Sequence, residues 1–207
     1  MAQKGILVVV SGFSGVGKGT VMKCLVERYD NYALSISATT RSPREGEEDG
    51  REYFFRTREE FQRMISDGEL IEHACYCENY YGTPKKYVEE QMDGGKDVIL
   101  EIEIQGALNI KKKYPETLLL FVMPPSAAVL RERLERRGTE TPDIIKARLK
   151  RACEESEGIE NYDYILINDD LEECVEEVHR TIELAHNQPL RCADFVADIK
   201  EQLKKYN

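Results

Sequence analysis

The sequence contains no long apolar run. None of its hydrophobic stretches approaches the roughly 20 residues that a helical membrane span needs, so no membrane association is expected. Positive charge is in short supply: 29 lysines and arginines stand against 39 aspartates and glutamates, a formal net charge of −10. A surface of that sign repels nucleic acid and anionic membranes on average, and nucleic acid is not expected as a partner. Cysteine is sparse as well, with six in 207 residues. That is too few for a disulfide scaffold and consistent with free thiols in a reducing compartment. His73, Cys75 and Cys77 alternate as they would on one face of a strand. No fourth ligand or usual zinc spacing accompanies them, so they read as thiols on a core face, and no protein metal site is expected. Internal repeats and low-complexity segments are absent. Met1-Ala2-Gln3-Lys4-Gly5 runs straight into the first strand, leaving no room for a signal peptide. The expected location is the cytoplasm.

What is present is a chain of globular composition, 41% hydrophobic and 33% charged. Its length suits one domain with an insertion, or two domains. The most informative stretch lies near the start. Gly12, four further residues, then Gly17-Lys18 fits the phosphate-cradling pattern G-x-x-x-x-G-K. The apolar run Ile6–Val10 before it reads as a buried strand, and Thr20–Val26 after it reads as a helix. Strand, glycine loop and helix together are the context the motif requires. Glycines let the loop curl so that backbone N–H groups converge on an anion, and the helix adds the positive end of its dipole. Gly12, Phe13, Ser14, Gly15, Val16, Gly17, Lys18, Gly19 and Thr20 are therefore candidate ATP contacts. The hydroxyl usually found directly after the lysine is displaced by one residue. Gly19 stands in its place and Thr20 follows.

Further along, Ala38–Gly50 is a polar loop in which Arg41 and Arg44 flank a proline, a plausible fork for a phosphate. Thr57-x-x-Glu60 is a capping box for a helix over 58–67. Residues 70–81 read as strand around a turn at Glu78-Asn79, and Pro84 is placed at the first position of a helix ended by Gly94-Gly95. A strand is expected over 97–104, placing Glu101 and Glu103 on one side at its C-terminal end, with a helix over 106–113. Another buried strand covers 117–123. Two helices follow, capped by Ser126 and Thr141-Pro142, and they carry a basic patch between Arg131 and Arg151. A strand over 162–168 and a helix over 170–187 complete the alternation, and a further helix is expected over 192–205. The resulting fold class is α/β: a parallel P-loop sheet flanked by helices, with an inserted small α/β lobe and a helical lid. The core takes in 1–32, 96–125 and 160–187. The lobe is 33–95, the lid 126–159 and a C-terminal extension 188–207.

The phosphate loop, Ser37–Glu47 (S-A-T-T-R-S-P-R-E-G-E), Asn79–Thr83, Glu101–Gly106, Arg137–Glu140 and Asn168–Asp170 together resemble the guanylate kinase family. The likeness covers roughly residues 4–187. It implies that ATP and GMP are the substrates, with Mg²⁺ accompanying ATP. The monophosphate would meet Arg41, Arg44, Tyr53 and Tyr81, and the guanine would meet Glu72, Ser37 and Thr83. Arg137 and Arg148 would be lid arginines, and Asn168 would lie near the adenine. Glu101 and Glu103 stand where family members often carry aspartates, as candidate metal or GMP contacts. The catalytic set is Lys18, Arg41, Arg44, Arg137 and Arg148. The residue chemistry agrees: guanine presents two adjacent N–H donors that one carboxylate can accept, and adenine presents no such pair. Scaffold domains that bind phosphopeptides share the likeness, but the intact Gly17-Lys18 loop argues against that reading. Oligomeric state stays open between a monomer and a homo-oligomer.

Overall fold

The computed structural model describes residues 4–76, 78–136 and 141–206. Its central element is Leu7–Gly12 (β1), whose side chains alternate between two apolar clusters. Val8 and Val10 enter one, and Leu7 and Val9 enter the other. A strand that is apolar on both faces suits the middle of a parallel sheet covered on both sides. β1 pairs in parallel with Asp97–Glu101 (β7) on one side and Leu118–Met123 (β8) on the other. Tyr32–Leu34 (β2) and Tyr164–Ile167 (β9) form the edges, giving the order β2-β7-β1-β8-β9.

Helices Lys18–Arg28 (α1) and Leu171–Ala185 (α7) close one face through Met22, Leu25, Val175 and Val178. Lys85–Asp93 (α3) and Ile104–Lys113 (α4) close the other through Val88, Ala107 and Ile110. Ala127–Arg136 (α5) and Pro142–Ser156 (α6) add Leu130, Leu134 and Ala152 to the first cluster. Among the described residues, no helix is long and apolar enough to cross a membrane.

A second sheet, in the order β4-β3-β6-β5, is built from Ala38–Thr39 (β3), Phe54–Phe55 (β4), Leu70–Tyr76 (β5) and Asn79–Pro84 (β6). Arg58–Ser66 (α2) covers it, with Phe61 stacked on Tyr80, and both halves of the Thr57–Glu60 capping box form. Ile71 reaches from this sheet into the apolar cluster beneath α3 and α4.

Several sequence expectations change here. The strand over 97–104 stops at Glu101, and Glu103 is instead the N-cap of α4. The two carboxylates therefore leave different elements and do not share a strand face. Pro84 ends β6 and caps α3 from outside the helix. His73 and Cys75 are exposed, not packed in a core, because β5 is an edge strand of a small sheet. Cys77 lies outside the described residues, as do Arg137, Gly138, Thr139 and Glu140.

At the N-terminal end of the sheet, remote from the loop, Asp97 is only 2% exposed. Its carboxylate accepts the Ile6 N–H at 2.8 Å and meets His186 Nε2 at 2.9 Å. Removing it leaves a buried donor without its acceptor. Asp97→Ala should lower stability by about 3 kcal/mol, read as a shift in the urea midpoint. The residual kcat of the folded fraction should be unchanged, because the site lies at the other end of the strands.

Candidate active site

The loop between β1 and α1 takes its shape from two left-handed glycines, Gly15 and Gly17, both at φ 92°. Gly17 is also the N-cap of α1 and provides no side-chain cap, and the first turn of the helix carries no acidic residue. The leading amides and the positive end of the dipole are thus left for an external anion. Phe13 and Val16 turn their side chains into the core, so these two positions can meet a phosphate only through their backbone. Asn168, 7% exposed, donates from Nδ2 to the Val16 carbonyl at 2.7 Å and ties the end of β9 to the loop. A Cβ on Gly17 would stand 2.8 Å from that same Nδ2.

Two clefts flank the loop. One, of about 390 Å³, is lined by Ser11, Ser14, Lys18, Glu103, Arg148 and Arg151. The other, of about 330 Å³, is lined by Gly15, Gly17, Thr20, Arg133, Arg136 and Asn168. Arg148 on α6 donates from Nη1 to Ser14 Oγ, so α6 touches the loop directly. Arg133 on α5 donates to the carbonyls of Val16 and Asp169 at 3.3 and 3.4 Å. The basic patch therefore divides. Arg133, Arg148 and Arg151 turn to the clefts, while Arg131 and Lys150 pair with Glu135 and Glu154 along exposed helix faces.

The second sheet presents the other cationic group. Arg41 donates from Nη2 to both oxygens of Glu47, each at 2.9 Å, and Glu47 also accepts the Arg44 N–H at 2.8 Å. The guanidinium sits 5.3 Å from the Tyr53 ring centroid and 5.9 Å from that of Phe55. Tyr53 in turn packs edge-on to Tyr81 at 6.1 Å. Arg41, Tyr53 and Tyr81 thus form one cluster, joined by Arg44 through its backbone. Hydrogen bonding from the Arg44 N–H and then from Arg41 holds the Glu47 carboxyl below the ordinary range.

On β5, Glu72 accepts from Thr83 Oγ1 of β6 at 2.8 Å. Burial raises the Glu72 pKa, and the Thr83 bond only partly opposes it. Ser37 precedes β3 and is half-buried, its carbonyl accepting the Phe54 N–H at 2.9 Å. Glu101 ends β7 with its carboxylate beside the loop, and a Cβ on Gly19 would lie 3.9 Å from its Oε2. Desolvation moves the Glu101 pKa upward against the pull of Lys18. Glu103 is held by Arg151 at 2.6 Å.

Glu47, Arg133 and Arg151 were not singled out by the sequence analysis. Glu47 had a readable signal, since Arg41, Arg44 and Glu47 recur every third residue in one loop. Arg133 and Arg151 gave none, because one basic residue in a basic helix resembles the next until the helix is docked.

A parallel sheet with a phosphate loop on its middle strand, beside a second sheet that gathers arginine and tyrosine, is the arrangement of a P-loop kinase of nucleoside monophosphates. A crystal structure of guanylate kinase from Anaplasma phagocytophilum superposes with a TM-score of 0.70 at 36% identity, covering 91% of this chain and 90% of that one. The family model for guanylate kinase matches residues 4–185. Curated guanylate kinases from Halalkalibacterium halodurans and Caldanaerobacter subterraneus are 50% and 46% identical, over 89% and 97% of this chain and 90% and 97% of theirs. The chain belongs to the guanylate kinase family.

The bidentate hold of Glu47 on Arg41 has a measurable consequence. Glu47→Ala should free the guanidinium to sample rotamers and raise KM for GMP about tenfold, with kcat and KM for ATP within twofold. Steady-state kinetics with each nucleotide varied in turn checks it.

Proposed function

We propose a role for each side chain in the reaction of the family, the ATP-dependent phosphorylation of GMP. The loop amides and Lys18 hold the outer phosphates of ATP, with the purine in the cleft beside Arg133 and Asn168. Arg41, Arg44, Tyr53 and Tyr81 hold the GMP phosphate, and Glu72 and Ser37 hold its base, with Thr83 completing the base site through its bond to Glu72. Within residues 33–95 the second sheet and α2 act as the GMP lobe, while β2 and α3 belong to the core sheet and its cover; residues 126–159 act as the lid, with Arg148, and Arg137 from outside the described residues, closing over the transferring group. dGMP is a second acceptor in this proposal, since no assigned residue reads the ribose 2′-hydroxyl. The contact from Arg148 to Ser14 supports the scheme most directly, because it brings a lid arginine to the cleft that Lys18 lines.

Charge sets the mechanism. The acceptor phosphate is largely ionised near neutral pH, with a second pKa of about 6, so a general base is unnecessary. The protein's task is to hold two anions in line and offset the charge of the transferring group. Lid closure excludes water that would otherwise take the phosphoryl group.

Magnesium fits this arrangement. Such sites hold the ion largely through nucleotide phosphates and waters, with one or two carboxylates. Glu101 beside the loop is the residue that would attend it, and Glu103 could join once released from Arg151. The described residues contain no cluster of three or more acidic, histidine or cysteine side chains suited to a metal. Bound with ATP, the ion supplies charge neutralisation at the phosphate oxygens. The described residues also carry no membrane-crossing helix, and a cytoplasmic location accords with that.

Three outcomes test the assignments. Arg148→Met should lower kcat by roughly 10²–10³-fold with an unchanged far-UV spectrum. An ADP-release assay should show GMP and dGMP accepted, and AMP and CMP refused. Glu72 must be ionised to accept both guanine N–H groups, and its pKa lies above the ordinary carboxylate value of about 4.3. As pH falls through that raised pKa, KM for GMP should climb, starting at higher pH than an ordinary glutamate would allow. Glu72→Gln should lose that part of the acid limb and keep the part due to the GMP phosphate. An acid limb identical in the two proteins would remove Glu72 from base reading.

A further inference from the structure

On the face of the sheet covered by α3 and α4 lies a cavity of about 350 Å³. Its apolar wall comes from Leu7 on β1, Ile71 on β5, Val88 and Met92 on α3, and Tyr114 at the end of α4. The volume falls within the range of small-molecule sites, about 300–1,000 Å³, which combine an apolar wall with a few polar groups that fix orientation. None of its lining residues lines either cleft beside the phosphate loop. It meets β1 at Leu7, whereas that strand ends at Gly12, roughly 17 Å further along.

The polar groups indicate what would enter. Lys4, Lys85 and Arg191 bring three cations to the lining, against Glu89 and Glu116. Lys4 and Lys85 pair at the surface with Asp93 at 2.7 Å and Glu89 at 3.5 Å, and exposed pairs of this kind exchange cheaply. Arg191 differs. Its Nη2 donates to the Glu116 backbone carbonyl, but its Nε is buried and has no hydrogen-bond partner among the described residues. Burial draws its pKa down, against the pull of Glu116, Asp163 and Asp97. A ligand carboxylate on this guanidinium would supply the missing acceptor through a charge-assisted bond. We propose that the cavity is a second ligand site, taking a small amphiphilic carboxylate with its apolar body against Leu7, Val88 and Met92 and its charge on Arg191.

The site has a route to the acceptor nucleotide. Ile71 packs into the apolar cluster beneath α3 and α4, while Glu72, next on β5, turns to Thr83. A ligand wedged between Ile71 and Leu7 holds the second sheet where it stands against the core and opposes its movement toward the loop. This coupling rests on the assignment of Glu72 to the guanine, whereas binding in the cavity does not.

Octanoate is the probe, with octanamide as its uncharged counterpart. Calorimetry on the nucleotide-free full-length protein should give a dissociation constant of about 10⁻⁴ M for octanoate, and octanamide should bind at least tenfold more weakly. Arg191→Gln should weaken octanoate at least tenfold and leave octanamide within twofold. Should that variant lose its far-UV spectrum, Lys85→Met, at an exposed position, carries the charge test with a loss of about threefold. Met92→Trp, which fills the cavity from outside the catalytic set, should abolish binding of both probes with kcat unchanged. Saturating octanoate should raise the Kd for GMP about threefold, and saturating GMP should raise the Kd for octanoate by the same factor. No heat of binding at about 5 mM octanoate overturns the site, as does binding that both Arg191→Gln and Met92→Trp leave intact. Octanamide binding as tightly as octanoate overturns the anionic ligand. Octanoate bound in the cavity with GMP affinity unmoved overturns the coupling through β5 and leaves the site standing, which is also the pattern expected if Glu72 does not read the base.

Discussion

The hydrogen bond from Asn168 Nδ2 to the Val16 carbonyl is small in energy, but the catalytic geometry hangs on it. Its donor is nearly buried at the end of β9 and its acceptor lies in the tightest part of the phosphate loop. Left alone, a loop with two glycines at positive φ has many other conformations open to it. The bond holds the curl in which the Val16 carbonyl faces Asn168 and the Val16 N–H turns back on the Phe13 carbonyl at 3.1 Å. It also fixes sequence at two places. Position 168 needs a short amide, and position 17 needs a residue without a Cβ, because one there would stand 2.8 Å from the same nitrogen. The core enforces this arrangement, since Val16 and Phe13 are buried on the inner side.

The second constraint is electrostatic. A chain carrying −10 overall must present cations to two anionic substrates without losing them to its own carboxylates. The structure resolves this by pairing them in place. Glu47 holds Arg41, and Glu103 holds Arg151, the latter across a half-exposed pair. The exposed Arg151–Glu103 pair contributes at most about 1 kcal/mol, so a dianionic phosphate can displace it at low cost, whereas the Arg41–Glu47 pair, 16% and 17% exposed, is the more firmly held of the two. The carboxylates set the rotamers of the arginines in advance, and the Tyr53 and Phe55 rings hold the plane of Arg41. The entropy of ordering a long side chain is thereby settled during folding and not at binding.

The parts of this organisation that repeat a local physical rule were legible in the sequence. The phosphate loop was readable because its glycines, lysine, preceding strand and following helix must be contiguous. The capping box at Thr57 and Glu60 and the helix starts at Ser126 and Thr141-Pro142 were readable for the same reason. What failed depended on distant partners. Glu103 continued the alternation of β7 on paper, but the chain leaves the sheet after Glu101, where the Ile102 carbonyl accepts the Ser11 hydroxyl at 2.7 Å from a neighbouring strand. His73 and Cys75 had the period of a core face, and no local signal marked β5 as the edge of a small sheet. Arg133 and Arg151 became distinguishable from their basic neighbours only through carbonyls and carboxylates more than thirty residues away. The C-terminal helix, Ala193–Leu203, was readable as a helix, but that it buries none of its residues was not, because periodicity shows an apolar stripe without showing what meets it.

The bond between Thr83 and Glu72 bears on how a base would be read in the proposed complex. A hydroxyl has one proton. In the free protein that proton is committed to Glu72 Oε1 at 2.8 Å. The carboxylate has lone pairs to spare, so it can accept the two guanine donors while keeping the Thr83 bond. While it does so, Thr83 cannot also donate to the guanine O6. Thr83 then orients the reading carboxylate, and the O6 donor falls to Ser37 on the opposite strand connection. Adenine would bring an N–H group where O6 should be, and it would turn the N1 lone pair and a C2–H toward Glu72, which would then receive neither bond. A half-buried carboxylate left short of a partner loses more than a missing bond alone, because its desolvation is not compensated. Discrimination between the two purines thus rests on the penalty for an unsatisfied Glu72, and the Thr83 bond sharpens it by denying that carboxylate freedom to turn toward water.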